Sequence, residues 1–527
     1  MKRSALLLAV FVAVFGVGCS GNGSSTTTPP PQLGFTNSSL KGQFAFTMSG
    51  QAPDGFIARI GTFIADGNGG ITAGGIELVN TVSHGFQLIN FNSSNYQVNS
   101  DGRGAINLTN VTGTISFSIT MTSVSGGYIC ETDGVTGTSG TFQLQDTSAF
   151  TSTGINGSFV FDVSGLDPNA VPDSIVGQFT LNAGTVQAGG VYDENDGAVG
   201  SGPQTIAANT YFLDATNGPT NGLGQLKFNG FVYDFIIVNS KKLFMIEVPG
   251  ATALTGTTTI GVANAQTAAP ATNPAFNGSF AFLIAGVGTQ SQNEKAGRFT
   301  TDGSGGLSLI VLDDKQLGSG ITQIPSGTIS AASYSIDTNF PGSGRGTFTF
   351  HDSARGTFQF VFYMSSATVG VIQDNGLNLV GDGVIMAQTG APFSNASLAN
   401  DYAFNWSGNS INSTNLVQGE EDFVGHVKIT TATSSNVTGL MDFSELNSIQ
   451  GAFHDSALTG GLAINGDGTN SSGSRSGVTI TAAGTNGGPS STFKFTVYVV
   501  NPTTIFVISQ DNDRVTGGVF TAQITPP

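Results

Sequence analysis

The chain has 527 residues, of which 17 are basic and 34 are acidic, and its formal net charge at neutral pH is −17. So few Lys and Arg residues exclude the basic stripes with which proteins contact nucleic-acid phosphates, and we expect no nucleic-acid partner. Only 10% of the residues are charged while 39% are hydrophobic, which excludes a disordered chain and is enough for several packed cores.

The amino terminus has the pattern of a sorting signal. Lys2 and Arg3 precede an apolar stretch of 12 residues at 6–17, and small residues stand before Cys19. The stretch is shorter than the roughly 18 residues that span a bilayer. The sequence predicts a signal peptide at 1–18. An ordinary secretory signal, in which Cys19 is incidental, is the alternative.

The Gly-Val-Gly-Cys junction at 16–19 resembles the lipobox of bacterial lipoproteins, although Gly16 stands where that family usually has Leu. The resemblance implies that Cys19 is acylated and becomes the first residue. Ser20 after it is similar to members that are sorted to the outer membrane. It implies a lipoprotein of the cell envelope, on the periplasmic or the exposed side of the outer membrane.

Residues 19–32 predict a flexible tether, because Ser, Thr, Gly and Pro dominate and no apolar residue follows Cys19 there. Loss of residues 1–18 removes two bases and no acid, so the mature chain carries a net charge of −19. An anionic bilayer surface would repel this body, so its membrane partner would be bound through the acylated Cys19 alone.

Four copies of one pattern follow, and we place them at 33–150, 151–266, 267–388 and 389–527. Each copy opens with a short stretch in which aromatic and small residues alternate: 42–46, 157–161, 278–282 and 401–404. Each copy closes on a Gly five residues before a Gln: Gly140 and Gln145, Gly261 and Gln266, Gly383 and Gln388, Gly518 and Gln523.

The third copy contains eight short stretches with strand-like alternation, separated by turn residues, and no window of helical period. Short links allow only antiparallel neighbours, and eight strands can close into a barrel. The sequence therefore predicts an all-β protein of four tandem eight-stranded up-and-down barrels, with β-sandwiches as the alternative. The order is similar to lipocalins and avidins, although the lipocalin Gly-x-Trp opening is missing. Cys130 aligns with Val371 and Ile508, which predicts a buried apolar position.

Arg recurs between small residues as Arg103, Arg345 and Arg475, and copy two has Leu223 there. We expect these Arg side chains to pair with carboxylates or carbonyls at a barrel end. An anion site is the alternative.

Acidic residues recur after the predicted third strand, at Glu77, 193–196, 313–314, and Asp442 with Glu445. Oxygen-rich loops suit Ca²⁺, and the best candidates are Asp193, Glu194 and Asp196. Their spacing matches no EF-hand, and solvated turns carry the same residues. We therefore expect no cofactor, with Ca²⁺ as the alternative.

The sequence predicts no catalytic residue. Gly-x-Ser-x-Gly and His-Glu-x-x-His motifs are absent. His-Asp-Ser-Ala occurs at 351–354 and 454–457, but at different places in the two copies, and adjacent strand residues face opposite ways.

As a whole the chain resembles the Gly-rich repeat lipoproteins of soil-bacterial envelopes, a group without an assigned activity. The leading interpretation is a non-enzymatic structural or interaction protein whose protein or glycan partner the sequence does not identify. The 39 Phe residues, against one Trp, count against a dedicated lectin. A carrier of small apolar ligands in the barrel interiors is the alternative. A hydrolase with a site between copies is a third candidate, which no motif supports.

We expect Cys19→Ser to move the protein from the membrane fraction to the soluble fraction, because the acidic body has no other affinity for a bilayer. Cell fractionation at moderate salt with immunodetection measures this. Retention of the variant in membranes would show that Cys19 is incidental.

Overall fold

The computed structural model describes residues 34–526 except 82–84, 168, 198–200, 250–257, 289–291, 325, 377–378, 412–417, 433–435, 447–450, 465–477 and 484–490. The predicted signal peptide, Cys19, the whole predicted tether and Arg475 lie outside the described residues. The described chain is built of β-strands grouped into four barrels, which we number 1 to 4 in chain order.

The strands of barrel 1 are β1 (Lys41–Ala52), β2 (Gly55–Asp66), β3 (Gly70–Thr72), β4 (Ile76–Thr81), β5 (Gly85–Asn90), β6 (Ser94–Val98), β7 (Arg103–Thr109), β8 (Thr114–Ser123), β9 (Gly126–Glu131) and β10 (Gly137–Leu144). The strands of barrel 2 are β11 (Gly157–Leu166), β12 (Pro172–Asn182), β13 (Thr185–Val186), β14 (Val191–Asn195), β15 (Ser201–Thr205), β16 (Asn209–Leu213), β17 (Leu223–Phe228), β18 (Phe231–Asn239), β19 (Lys242–Glu247) and β20 (Thr258–Ala265).

The strands of barrel 3 are β21 (Asn277–Gly288), β22 (Gln292–Asp302), β23 (Leu307–Gln316), β24 (Thr322–Ile324), β25 (Ile329–Ile336), β26 (Arg345–Asp352), β27 (Gly356–Met364), β28 (Val369–Asp374) and β29 (Leu379–Ala387). The strands of barrel 4 are β30 (Asp401–Ile411), β31 (Gln418–Ile429), β32 (Val437–Glu445), β33 (Gly451–Gly461), β34 (Val478–Ala483), β35 (Ser491–Asn501), β36 (Thr504–Ser509) and β37 (Arg514–Ala522).

The helical segments are short: α1 (Gly218–Asn221) and the 3₁₀ turns Asn37–Ser39, Thr147–Ala149, Asn273–Ala275, Ser326–Thr328 and Asn395–Leu398. No helix among the described residues is long and apolar enough to cross a membrane.

Each barrel is an eight-stranded antiparallel meander, as predicted. In barrel 4 the strands β30 to β37 follow one another around a closed barrel. In barrels 1 and 2 the third and fourth strands are each broken in two, so that β3 and β4 form one strand and β5 and β6 the next. Barrel 3 has the same order with its fourth strand broken, and one bridge, Gly306 to Ser333, joins its edges. The barrel prediction is confirmed over the sandwich alternative.

The repeated Gly residues let strands approach closely. A Cβ on the closing Gly140 would lie 1.9 Å from the carbonyl oxygen of Thr47 in the opening strand, and one on Gly261 would lie 1.8 Å from that of Asp162. A second Gly, on the second strand, lies under an aromatic ring of the opening strand. A Cβ on Gly61 would lie 2.3 Å from the Phe46 ring. The corresponding pairs are Gly177 and Phe161, Gly297 and Phe282, and Gly425 and Phe404.

Aromatic and aliphatic side chains fill the interior of each barrel. In barrel 3 the ring of Phe348 lies 4.7 Å from that of Phe299 and 4.6 Å from that of Phe360, between centroids. In barrel 4 Trp406 is fully buried and lies 4.7 Å from Phe495. The Phe-rich strands are therefore core strands, as their alternation indicates.

The four barrels form a closed ring within one chain. The first two strands of each barrel pack against the last strands of the following barrel, and β30 and β31 of barrel 4 pack against β8 to β10 of barrel 1. Each closing Gln donates its side-chain amide to main-chain carbonyls of the following barrel: Gln145 to barrel 2, Gln266 to barrel 3, Gln388 to barrel 4 and Gln523 to barrel 1.

The backbone repeats this contact at every junction. The residue after each Gln donates its N–H to the next barrel, and Ile524 donates to the Thr122 carbonyl of barrel 1 at 2.7 Å. Head-to-tail contacts of one kind produce a ring when the rotation closes. Here it closes after four barrels.

The ring has two faces. We call the barrel end that carries the closing Gln the linker end, and the end where the first strand turns into the second the mouth. Linker ends meet through the Gln contacts, while mouths meet through contacts such as Asn195 to the Asp374 carbonyl and Gln51 to Asn409. The four mouths therefore share one face of the ring, and the linkers share the other.

Phe348→Ala should lower the free energy of unfolding by about 3–5 kcal/mol, because it opens a cavity among packed rings. Phe212→Ala is the matched control, since that side chain is 50% exposed. Chemical denaturation followed by circular dichroism measures both. Equal and small effects would mean that the interior of barrel 3 is not filled.

Candidate functional site

The recurrent Arg and Asp residues meet at the junctions between barrels. The third strand of each barrel carries one residue that points toward the following barrel: Leu78, Asp193, Asp313 and Asp442. Among the described residues, the position where Arg recurs begins the fifth strand of the following barrel: Leu223 in barrel 2, Arg345 in barrel 3 and Arg103 in barrel 1.

The junction between barrels 2 and 3 shows the full arrangement. Arg345 donates from Nε to Oδ2 of Asp193 at 2.7 Å and from Nη2 to Oδ1 at 2.8 Å, and Tyr363 donates to Oδ2 at 2.6 Å. Burial alone would lower the pKa of Arg345, but the hydrogen bonds and charge of Asp193 raise it above its ordinary value. Burial, followed by the same carboxylate, raises the pKa of Tyr363.

Barrels 4 and 1 use the same positions. Arg103 donates to Asp442 at 3.2 Å and to Asp455 at 2.7 Å, both in barrel 4, and to Asp101 of its own barrel at 2.9 Å. Burial raises the pKa of Asp442, and Arg103 opposes that shift. Arg103 and Arg345 therefore each hold a carboxylate of another barrel.

The other two junctions have the same geometry but different side chains at these positions. Between barrels 3 and 4, Tyr498 donates to Asp313 at 2.5 Å. Between barrels 1 and 2 the equivalent positions carry apolar side chains, because Leu78, Leu223 and Ile236 belong to one apolar cluster. Leu223 stands where Arg recurs because its counterpart, Leu78, is apolar.

The structure separates Asp193 from Glu194, two of the three calcium candidates. Asp193 faces barrel 3, and its carboxylate accepts hydrogen bonds from Arg345 and Tyr363. Glu194, its neighbour on β14, lies on the opposite face of the strand, toward the interior of barrel 2. The described residues contain no group of three or more His, Cys, Asp or Glu side chains placed to hold a metal ion.

Ion pairs also lie inside the mouths of three barrels. Arg59 of barrel 1 lies 2.7 Å from Glu77 and 3.4 Å from Glu131. Lys295 of barrel 3 lies 2.9 Å from Asp374. In barrel 4 Arg514 lies 3.5 Å from Glu421, and its guanidinium stacks on the Phe493 ring at 4.5 Å. Buried charges of this kind are stable because each has an opposite partner.

The mouth of barrel 1 opens into a cleft of about 320 Å³. It forms where the β4–β5 hairpin diverges from the turn between β7 and β8. Its walls are apolar at Ile57, Val79, Ile89 and Ile115, and polar at Gln87 and Asn110. Arg59 lies at its base with only 6% of its surface exposed. Burial raises the pKa of Glu131 to about 7, and Arg59 limits this rise.

The cleft has the size of a small-ligand or side-chain pocket, and pockets are common in the mouths of β-barrels. Sequence reasoning missed it, because it depends on the break between β5 and β6. The Ala-Gly-Gly run at 73–75, which separates β3 from β4, is the one local signal of that divergence.

The His-Asp-Ser-Ala tetrapeptides do not form catalytic triads. His351 faces Thr357 at 3.3 Å, whereas its neighbour Asp352 lies 3.7 Å from Arg355. His454 lies 3.3 Å from Ser118 of barrel 1, and Asp455 binds Arg103. Each His therefore contacts a hydroxyl outside its own tetrapeptide, Thr357 in one case and Ser118 in the other, and neither tetrapeptide forms a triad from its own side chains.

Cys130 is fully buried at the outer face of barrel 1, where its Sγ lies 3.6 Å from the Asp422 carbonyl of barrel 4. Burial raises the pKa of this thiol, so it is not a reactive thiolate. The apolar position predicted for it is part of a junction.

No protein-family model and no curated protein matches the chain. Among solved structures it is similar to transferrin binding protein B from serogroup B Neisseria meningitidis, with 9% identity, a TM-score of 0.20, and coverage of 75% of this chain and 83% of that chain. It is also similar to a mutant of transferrin binding protein B from Haemophilus parasuis Hp5, with 10% identity, a TM-score of 0.19, and coverage of 96% and 98%. Likeness at this level carries no argument about function.

Arg345→Ala should destabilise the ring by about 3–5 kcal/mol, because it leaves the buried Asp193 without its cation. Arg355→Ala is the control, since the Arg355 side chain is 41% exposed. Denaturation midpoints measure both.

Replacing the whole cluster should restore stability. The triple variant Asp193→Leu, Arg345→Leu, Tyr363→Ile copies the apolar junction of barrels 1 and 2, and apolar replacements of buried ion pairs are often neutral or stabilising. A triple variant no more stable than Arg345→Ala would contradict the equivalence of the two junctions.

Proposed function

We propose that this chain is a non-enzymatic lipoprotein of the bacterial outer membrane, and that its ring of four barrels serves as an interaction surface. The observation that carries the proposal is the opposite placement of chain entry and cleft. The described chain enters at the linker end, where Phe35 donates to the Ser100 carbonyl at 3.0 Å. The barrel 1 cleft opens on the mouth face.

An anchor at Cys19 would attach through the tether to the linker face. The mouths would then point away from the membrane that holds the protein.

Exposed apolar side chains lie in two turns at the mouth of barrel 1. Val111, in the turn between β7 and β8, is 93% exposed, and Val135, in the turn before β10, is 59% exposed. Exposed apolar residues are common when scattered, but a group beside a pocket is typical of a binding surface. Together these features support a protein partner.

The filled interiors count against the alternative of a carrier. The described core residues of each barrel pack against one another along its axis, as the Phe clusters of barrels 3 and 4 show. The cleft in the mouth of barrel 1 is suited to a side chain or a small polar group at the surface.

Site-specific photocrosslinking in intact cells tests the proposal. A photoreactive residue at Val111 or Val135 should give crosslinked adducts with a partner. One at Val124, which is 41% exposed at the linker end, is the matched control and should give none with that partner. Adducts confined to position 124, or equal at all three positions, would contradict a docking surface on the mouth face.

A further inference from the structure

In the part of barrel 2 that the structure describes, the mouth lacks the cation that the other mouths contain. Arg59 and Lys295 occupy equivalent positions on the second strands of their barrels, two residues before Gly61 and Gly297 respectively. Barrel 2 has Ile175 at this position. Barrel 4 has Phe423 there, but supplies Arg514 from β37.

The carboxylates of the mouth remain in barrel 2. Asp173 on β12, Glu194 on β14 and Glu247 on β19 face the interior, on the same strand faces as the core residues Ile175, Tyr192 and Met245. Asp173 is 5% exposed and Glu247 is 8% exposed, whereas Glu194 is half-buried and gives the site contact with solvent.

No cation among the described residues faces these carboxylates. Burial raises the pKa of Asp173, and the charges that add to this rise are all acidic, with Glu194 and Glu247 first. Burial raises the pKa of Glu247 to about 7, and Glu194 adds to that rise. Lys242 begins the same strand as Glu247 but acts on Asp162 at the other end.

Two buried polar atoms in this mouth have no hydrogen-bond partner among the described residues. One is the hydroxyl of Tyr233, a fully buried residue that pairs with Glu247 across the two strands. The other is Oδ1 of Asp173. The neighbouring residues 198–200 and 250–257 contain no Lys, Arg or His in sequence. The chain therefore offers several acceptors here without a donor that carries charge.

We propose that the mouth of barrel 2 binds an external guanidinium or ammonium group, which occupies the place that Arg59 and Lys295 fill in barrels 1 and 3. The carboxylates of Asp173, Glu194 and Glu247 accept its N–H groups. The group comes from a basic side chain of a protein partner or from a small diamine, and both present the same chemistry.

An organic cation fits the mouth better than a metal ion does. In barrel 1 one guanidinium reaches Glu77 and Glu131 on two separate strands, at 2.7 and 3.4 Å. The described carboxylates of barrel 2 do not converge on a metal-sized point. A planar group with several donors can contact carboxylates on different strands at once.

Calorimetry with agmatine on the full chain, purified in non-ionic detergent, tests the site. Agmatine should bind with one site per chain and raise the melting temperature with its concentration, by mass-action linkage. Glu247→Gln should weaken binding by about tenfold or more, as expected when one partner of a buried charge pair is removed. Glu131→Gln in barrel 1 is the matched control and should leave the affinity unchanged.

Ile175→Arg provides an independent test, because the new guanidinium would belong to the chain itself and would stand where barrels 1 and 3 carry Arg59 and Lys295. This variant should no longer bind agmatine, while Ile175→Leu should bind as the original chain does. Absence of binding at millimolar agmatine, binding that survives both Ile175→Arg and Glu247→Gln, or binding of CaCl₂ without binding of agmatine would each overturn the proposal. A basic peptide that competes with agmatine would identify a protein source, and failure to compete would identify the small diamine. These outcomes are independent of the crosslinking result at barrel 1.

Discussion

The contact between barrel 4 and barrel 1 decides the shape of the molecule. Gln523 and Ile524, at the end of the described chain, bind carbonyls of the first barrel, and Arg103 holds Asp442 from the other side. With this contact every barrel has two neighbours. Without it the same three remaining junctions would produce an open arc with two uncovered faces.

The junctions share one geometry but differ in chemistry, and this difference specifies which barrel lies beside which. An Arg that met Leu78 would be buried without a carboxylate, and a Leu that met Asp193 would leave that acid without a cation. Both errors cost more than the net gain of a correct ion pair, because unpaired buried charges are strongly unfavourable. The charged junctions therefore contribute to the order of the ring more than to its stability.

Much of the fold could be predicted from the sequence, because alternation and turn residues act locally. The Phe-rich opening strands, the eight-strand order and the buried Cys130 all follow from patterns within one repeat. The ring and the mouths could not be predicted, because they depend on contacts between residues far apart in the chain. The Arg at 103 and 345 was visible, but its partner lies in another barrel. The best clue was the pairing of Leu78 with Leu223, two exceptions at positions where the other copies carry opposite charges.

Each junction joins the same two kinds of surface, the first strands of one barrel and the last strands of the next. A chain that lost one barrel by recombination between its repeats would keep both kinds of surface, but three barrels set at the angle of a four-membered ring do not meet. Such a product would have complementary ends, and copies would join end to end into filaments. In the intact ring both of these surfaces are covered within the chain, which explains how a protein built of self-complementary repeats can close on itself instead of polymerising.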